Sequence, residues 1–235
     1  MKHSLSFLRH ASLSALMLYG IAFAAATASG QTVFSSGSTG ADGPLTFTAP
    51  LPGDPPIEQV IDMSAKLDGI WNYTTINIPA GVKVSFTKNA ANTGVIWLAT
   101  GDVNIAGEIN LDGADGTGNV ARGNEAPGGP GGFRGGRGAR RVDVSGSGAG
   151  TPGEGPGGGA PGELGVGGAG GQYGAAGGGG FSQPLLGGSG GGGSGSALPA
   201  GLDGANGGGG SGAILIASST TIRVNGRAII HIRDT

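Results

Sequence analysis

Between Gly157 and Gly180 the chain reads GGGAPGELGVGGAGGQYGAAGGGG, with glycine at positions 159, 162, 165, 168, 171, 174, 177 and 180. A period of three fits neither the 3.6-residue turn of an α-helix nor the two-residue alternation of a strand. It fits a threefold extended helix of the polyproline-II kind, which makes no hydrogen bonds within itself. Backbone donors and acceptors left open that way need partners when buried. A glycine edge lets two such segments approach closely enough to supply them. Further phased runs stand at 129, 132, 135, 138, at 187, 190, 193 and at 201, 204, 207, 210. ARRVDVS, FSQPLL and SGSALPA separate the runs and read as turns. A layered bundle of short extended helices is therefore expected. Two alternatives stay open: a flexible Gly/Ser-type insert of low complexity, and collagen, which wants longer unbroken triplets and more proline. Against disorder, the zone is poor in Lys and Glu. It also carries spaced apolar residues at Phe133, Leu164, Val166, Tyr173, Phe181, Leu185 and Leu186.

The phased tract lies inside a zone, 113–212, that holds 44 of the 56 glycines. The flanking zones are different. In YTTINIPAGVKVSFTK, Ile76 and Ile78 alternate with polar residues, Pro79–Gly81 turns, and Val82, Val84 and Phe86 alternate again. That is strand, turn, strand. VIWLATGDVNIAGEINLDG repeats the scheme, and IWLATGD-VNIAGEI (96–109) is echoed by ILIASSTTIRVNGRAI (214–229) across the whole glycine zone. Evenly spaced short strands with small-residue corners suggest successive coils of a β-solenoid; an antiparallel hairpin sandwich is the alternative. Leu45–Thr48 reads as a short strand and EQVIDMSAKLDG as one helical turn. The expected fold is mainly β, a right-handed β-helix with an inserted bundle of extended helices, and little α-helix beyond a leader.

MKHSLSFLRH, with Lys2 and Arg9, precedes the apolar ASLSALMLYGIAFAAA and the small residues ATASG. This is the order of a secretory signal peptide, with cleavage expected after Ala28. The apolar run is too short for a bilayer span. The expected organisation is a signal peptide at 1–28, a loop-rich cap at 29–73, β-coils at 74–112, the glycine-rich insert at 113–212 and a β-coil at 213–235. That last coil is read as truncated, because no capping element follows it. Without the leader, 11 basic and 15 acidic residues remain. That balance, with export, argues against nucleic-acid binding. Cysteine is absent, so disulfides and thiolate metal sites are excluded.

The stretches INIPAGVKVSF, LATGDVNIAGEINLDG, GGPGGFRGG and GGGGSGAILIASSTTIRVNG resemble glycine-rich bacterial exported proteins of right-handed β-helix, pectin-lyase-like architecture. The resemblance covers about residues 74–228 and implies a structure rather than an activity. In period alone, the glycine zone is similar to the polyglycine helical sandwiches of phage tail-tip adhesins and a glycine-rich antifreeze protein.

Chemistry-bearing residues are sparse. The segment after the leader has one histidine, His231, so no Ser-His-Asp set can be built without it. No catalytic residue is nominated. Asp102, Glu108, Asp112 and Asp115 lie close in sequence, and Asp before Gly favours tight turns. Paired carboxylates could also serve glycoside hydrolysis. The oxygen-rich DGADGTGN nominates Asp112, Asp115 and Asn119 as calcium ligands, although it lacks the EF-hand spacing. FRGGRGARR nominates Arg134, Arg137, Arg140 and Arg141 for an anionic polysaccharide or headgroup surface. The functional expectation is an exported, non-enzymatic surface or matrix protein, structural or adhesive, with a polysaccharide or cell-surface ligand as partner. Alternatives are a carbohydrate-active lyase or hydrolase and an ice- or crystal-binding protein.

Overall fold

Side-chain alternation sets the architecture. A computed structural model describes residues 33–118, 124–140, 148–163, 166–171, 185–196, 203–225 and 229–231. The chain divides into two units, Met1–Phe34 and Ser35–Thr235; only Val33 and Phe34 of the first are described. The signal-peptide expectation therefore falls outside the described residues.

Ten strands are present among the described residues: β1 (Gly43–Thr46), β2 (Ile57–Asp62), β3 (Ile70–Ile78), β4 (Val82–Thr87), β5 (Val95–Ala99), β6 (Val103–Ile105), β7 (Glu108–Asn110), β8 (Ile214–Ser218), β9 (Ile222–Val224) and β10 (Ile229–His231). They form two sheets, one in the order β8-β5-β3-β6-β9 with β1 added to β3, the other β10-β7-β4-β2. Every pairing is parallel. In β3 the apolar Trp71, Tyr73, Ile76 and Ile78 face inward, and in β5 Val95, Trp97 and Ala99 do. β3 is long enough to take two partners on one edge. Ile70–Tyr73 pair with β5 and Ile76–Ile78 with β6.

The core gathers where the two sheets face each other. Trp97 is fully buried, its ring 6.1 Å from Tyr73 edge-on and 5.7 Å from Phe86. Met63, Ile76, Ile78, Val82, Val84, Ile105, Ile109 and Leu111 fill the remaining space. Two of the crossings between sheets are very short corners. Pro79–Gly81 joins β3 to β4, with the Val82 amide donating to the Pro79 carbonyl at 3.2 Å. Gly81 adopts φ 79° there, a backbone that glycine enters without steric cost. Ala106–Gly107 joins β6 to β7. Asparagines stack across β3, β6 and the residue after β9: Asn104 donates to Asn77 at 3.0 Å and Asn225 to Asn104 at 2.7 Å.

The fold-class expectation is corrected here. No helix occurs among the described residues, and the parallel sheets curve into a half-barrel rather than a right-handed β-helix solenoid carrying glycine-rich helices. The physical reason lies in the returns from the second sheet to the first: the links 63–69 and 88–94 carry no paired strand and so build no third wall. EQVIDMSAKLDG makes no helical turn either. Its first half is β2, paired with β4 from Ile57↔Val82 to Asp62↔Thr87. β-branched Ile57, Val60 and Ile61 suit a pleated strand better than a helix.

The two echoing segments lie side by side, β5 on β8 from Val95↔Ile214 and β6 on β9 from Val103↔Ile222. The glycine zone is thus spliced between adjacent layers of the same sheets. Its described parts form no helical bundle; they are extended segments tied by backbone bonds to one another. Amides of Phe133, Gly136 and Ala139 donate to carbonyls of Gly188, Gly191 and Ser194 at 2.7–3.0 Å. Amides of those three in turn donate to Ser211, Gly208 and Ala205. Gly204, Gly207 and Gly210 close the set onto Ala139, Gly136 and Phe133. Each step is three residues, and the glycines between these residues face neighbouring backbone. A Cβ on Gly135 would collide with the Gly207 carbonyl, and one on Gly190 with that of Arg134. Glycine at 165, 174, 177, 180 and 201 lies outside the described residues.

Candidate functional site

Where the insert meets the second sheet, the surface opens into a cleft. It consists of two adjoining hollows of about 580 Å³ and 480 Å³ that share Lys88, Pro127 and Gly128. Each is of a size that holds small ligands. One wall is the end of β4 (Ser85, Phe86) with the turn that follows; the far end is Asn110, the last residue of β7, and Asp112 just past it. The opposite wall is the insert: Glu125, Phe133, Arg134 and Glu154.

The β4–β5 turn is built around asparagine. Asn89 is buried; its amide nitrogen donates to the Lys66 carbonyl at 2.7 Å and to Thr93 Oγ1 at 2.6 Å. Its oxygen accepts the Thr93 amide. Asn92 adopts φ 49°, a left-handed conformation that asparagine tolerates better than most residues. The turn then grips the insert at one atom. Lys88 Nζ and Asn92 Nδ2 both donate to the Gly132 carbonyl, at 2.9 and 3.0 Å. That carbonyl belongs to the tight Gly129–Gly132 turn, where the Gly132 amide donates to Gly129 at 2.8 Å. Asn92 Oδ1 is buried and has no hydrogen-bond partner.

The charges of the cleft alternate. Burial pushes the Lys88 amine below the usual lysine range, Arg134 lowers it further, and Glu154 partly offsets both. Arg134 lies between two carboxylates, 3.9 Å from Glu125 and 3.9 Å from Glu154. At that length these are charge pairs rather than hydrogen bonds. Among the described residues of the lining, Lys88 and Arg134 accompany Glu125, Glu154 and Asp112.

Of the residues nominated from sequence, this cleft brings Asp112 and Arg134 to its two ends. Asp112 is held by its own amide donating to Asn110 Oδ1 at 2.8 Å. Asp115 is exposed, and Asn119 lies outside the described residues. Among the described residues no three His, Cys, Asp or Glu side chains gather as metal ligands would. The other two acids of the run are separately engaged. Asp102 accepts from Thr220 at 2.6 Å and pairs with Arg223 at 3.3 Å, which hold its carboxyl below the usual range. Glu108 lies 3.7 Å from Lys83. Arg140 is exposed, Arg137 is half-buried with its amide on Thr151 Oγ1 at 2.7 Å, and Arg141 lies outside the described residues.

No family model, curated protein or solved structure matches this chain. Among the described residues no helix is long and apolar enough to cross a membrane. Sequence reasoning missed Lys88, Asn92, Glu125 and Glu154. A signal for the two glutamates was available: the glycine zone is poor in Lys and Glu, so each Glu in it stands out.

Proposed function

We propose that the chain is an exported, non-enzymatic protein of the cell surface or matrix, structural or adhesive, whose glycine-rich insert is a stiff display platform. One observation carries this reading: the described parts of the insert exchange backbone hydrogen bonds at three-residue steps, with glycine wherever a Cβ would strike a neighbouring carbonyl. Ordering glycine costs ~0.5–1 kcal/mol more per residue than ordering alanine. A loose tether would have no need of such phasing. The basic, apolar, small-residue order of positions 1–28 supports export.

The test is expression with the native N-terminus in a Gram-negative host. A mature N-terminus at Ser29 by mass spectrometry, with the protein cleaved by protease added to intact cells, is expected. Protein retained inside with Met1 in place would sink the reading. Release of reducing ends from a polysaccharide, lost in Asp112→Ala, would overturn its non-enzymatic part.

A further inference from the structure

We infer that the chain pairs with a second copy of itself through the open edge of β8 and β9, forming a closed two-fold dimer. The inference goes beyond the adhesive reading and does not need it. It begins from register. Ile222 pairs with Val103 and Val224 with Ile105, so each pair projects to the same face of the sheet. Val103 and Ile105 are 0% and 2% exposed, whereas Ile222 and Val224 are 45% and 59% exposed. The apolar row that β6 buries is left open on β9. β8 continues that row: Ile214 and Ile216, in register with the buried Val95 and Trp97, are only partly buried.

The backbone of this edge is open too. The Thr221 carbonyl accepts from Val103 and the Asn225 amide donates to Ile105, both at 2.9 Å. Alternation along the strand then turns the amides and carbonyls of Ile222 and Val224 away from β6. Among the described residues no strand meets that side of β8 or β9. An apolar edge with unpaired backbone is a template for another strand.

The opposite end of the stack, β1 and β2, is guarded. β1 contains Pro44, which has no amide to offer. In β2 the Ile57 amide donates to Gly81 at 2.8 Å, so the same alternation turns the backbone of Glu58, Val60 and Asp62 outward, with two exposed carboxylates beside it. Proline and charge on an edge keep other strands off. β8 and β9, ILIAS and IRV, contain neither proline nor acid. Their one charge, Arg223, is engaged with Asp102 at 3.3 Å.

This difference between the ends selects the occupant. A head-to-tail stack would require the guarded end to receive the open one in copy after copy. Two open ends need nothing from the guarded ones, and the open edge is complementary to itself. A two-fold axis at the β8–β9 bend reverses strand order and lays β8 against β9 of the second copy. Ile214 and Ile216 then stand beside Val224 and Ile222, apolar against apolar. Both open rows are covered at once, and only guarded edges remain outside.

The experiment is sedimentation velocity of the full chain across a range of concentrations, with thermal midpoints recorded alongside. The wild type is expected to be a dimer that dissociates in the micromolar range or below. Val224→Lys puts a charge into the open row and is expected to be monomeric at the same concentrations while still melting cooperatively. Val60→Lys, at an exposed position of the guarded end, is expected to remain a dimer. Ile222→Thr keeps the β-branched shape and keeps the test open if Val224→Lys does not fold. Its loss counts twice in a symmetric pair and is expected to weaken the dimer roughly tenfold. A wild type that stays monomeric at about 0.1 mM overturns the inference. So does a folded Val224→Lys that dimerises like the wild type, and so does an Ile222→Thr of unchanged affinity. Species larger than a dimer, dispersed by Val60→Lys, would replace the closed pair with a head-to-tail stack. A monomer exported to the cell surface would overturn the dimer alone and leave the adhesive reading standing.

Discussion

At the scale of single residues, glycines in the insert fall into two kinds that sequence cannot separate. Gly135 faces the Gly207 carbonyl, whereas Gly170 has open space where a Cβ would go. Gly135→Ala is expected to cost about 1–3 kcal/mol, because backbone must move to admit the methyl. Gly170→Ala is expected to be neutral or to stabilise by up to ~1 kcal/mol, through loss of freedom in the unfolded chain. Urea denaturation of the pair checks both. Asp42 gives a pH signature. Burial raises its pKa, but the Lys66 ammonium at 2.8 Å and the Asn72 amide at 2.6 Å outweigh that and hold it below 3.8. Its contribution is therefore present above the unfolded value and is lost as pH falls through the lower folded one. Asp42→Asn is expected to flatten stability against pH below about pH 4. A partly exposed pair of this kind contributes less than about 1 kcal/mol. Acid titration of the thermal midpoint in both proteins measures it.

At the scale of elements, the layer spliced after the insert depends on the layer before it. β8 and β9 rest on β5 and β6, and the core beneath holds Trp97. Trp97→Ala is expected to cost about 3–5 kcal/mol. Trp97→Phe is expected to cost clearly less, since the indole Nε1 it removes is a buried donor with no partner. Chemical denaturation of both variants, followed by circular dichroism, decides the order. Much of this level was legible in the sequence. Alternation at Ile76, Ile78, Val82 and Val84 marked β3 and β4, and the IWLATGD/ILIASST echo marked neighbours that pair. β2 was not legible, because Ile57, Val60 and Ile61 fit a helical face as well as a strand and only pairing with β4 decides. The absence of a third wall was not legible either. It follows from the links 63–69 and 88–94 finding no strand partners, a three-dimensional outcome that alternation along the chain does not encode. The cleft was half-legible: Asp112 and Arg134 stood out as charged residues among glycines. Lys88 and Asn92 became site residues only when the turn they sit in met Gly132.

At the scale of the whole molecule, the pairing of β5 with β8 joins residues more than a hundred positions apart. Closing so long a loop precedes the contacts that reward it, which slows folding. Refolding from urea, followed by the fluorescence of Trp71 and Trp97, is expected on a scale of milliseconds to seconds or longer. A microsecond phase carrying the full amplitude would contradict the register described. The cleft is lined by residues of both the β4–β5 region and the insert, so it exists only where the two meet.

The three-residue step of the backbone ladder also constrains how the gene for such a chain can drift. Losing one residue from 129–139 would shift every later donor past its carbonyl and swing bulkier side chains into positions only a hydrogen atom fills. Losing three would merely shorten the segment by one rung. Length variants that still fold should therefore come in multiples of three residues, a quantised tolerance that a loosely tethered loop would never display.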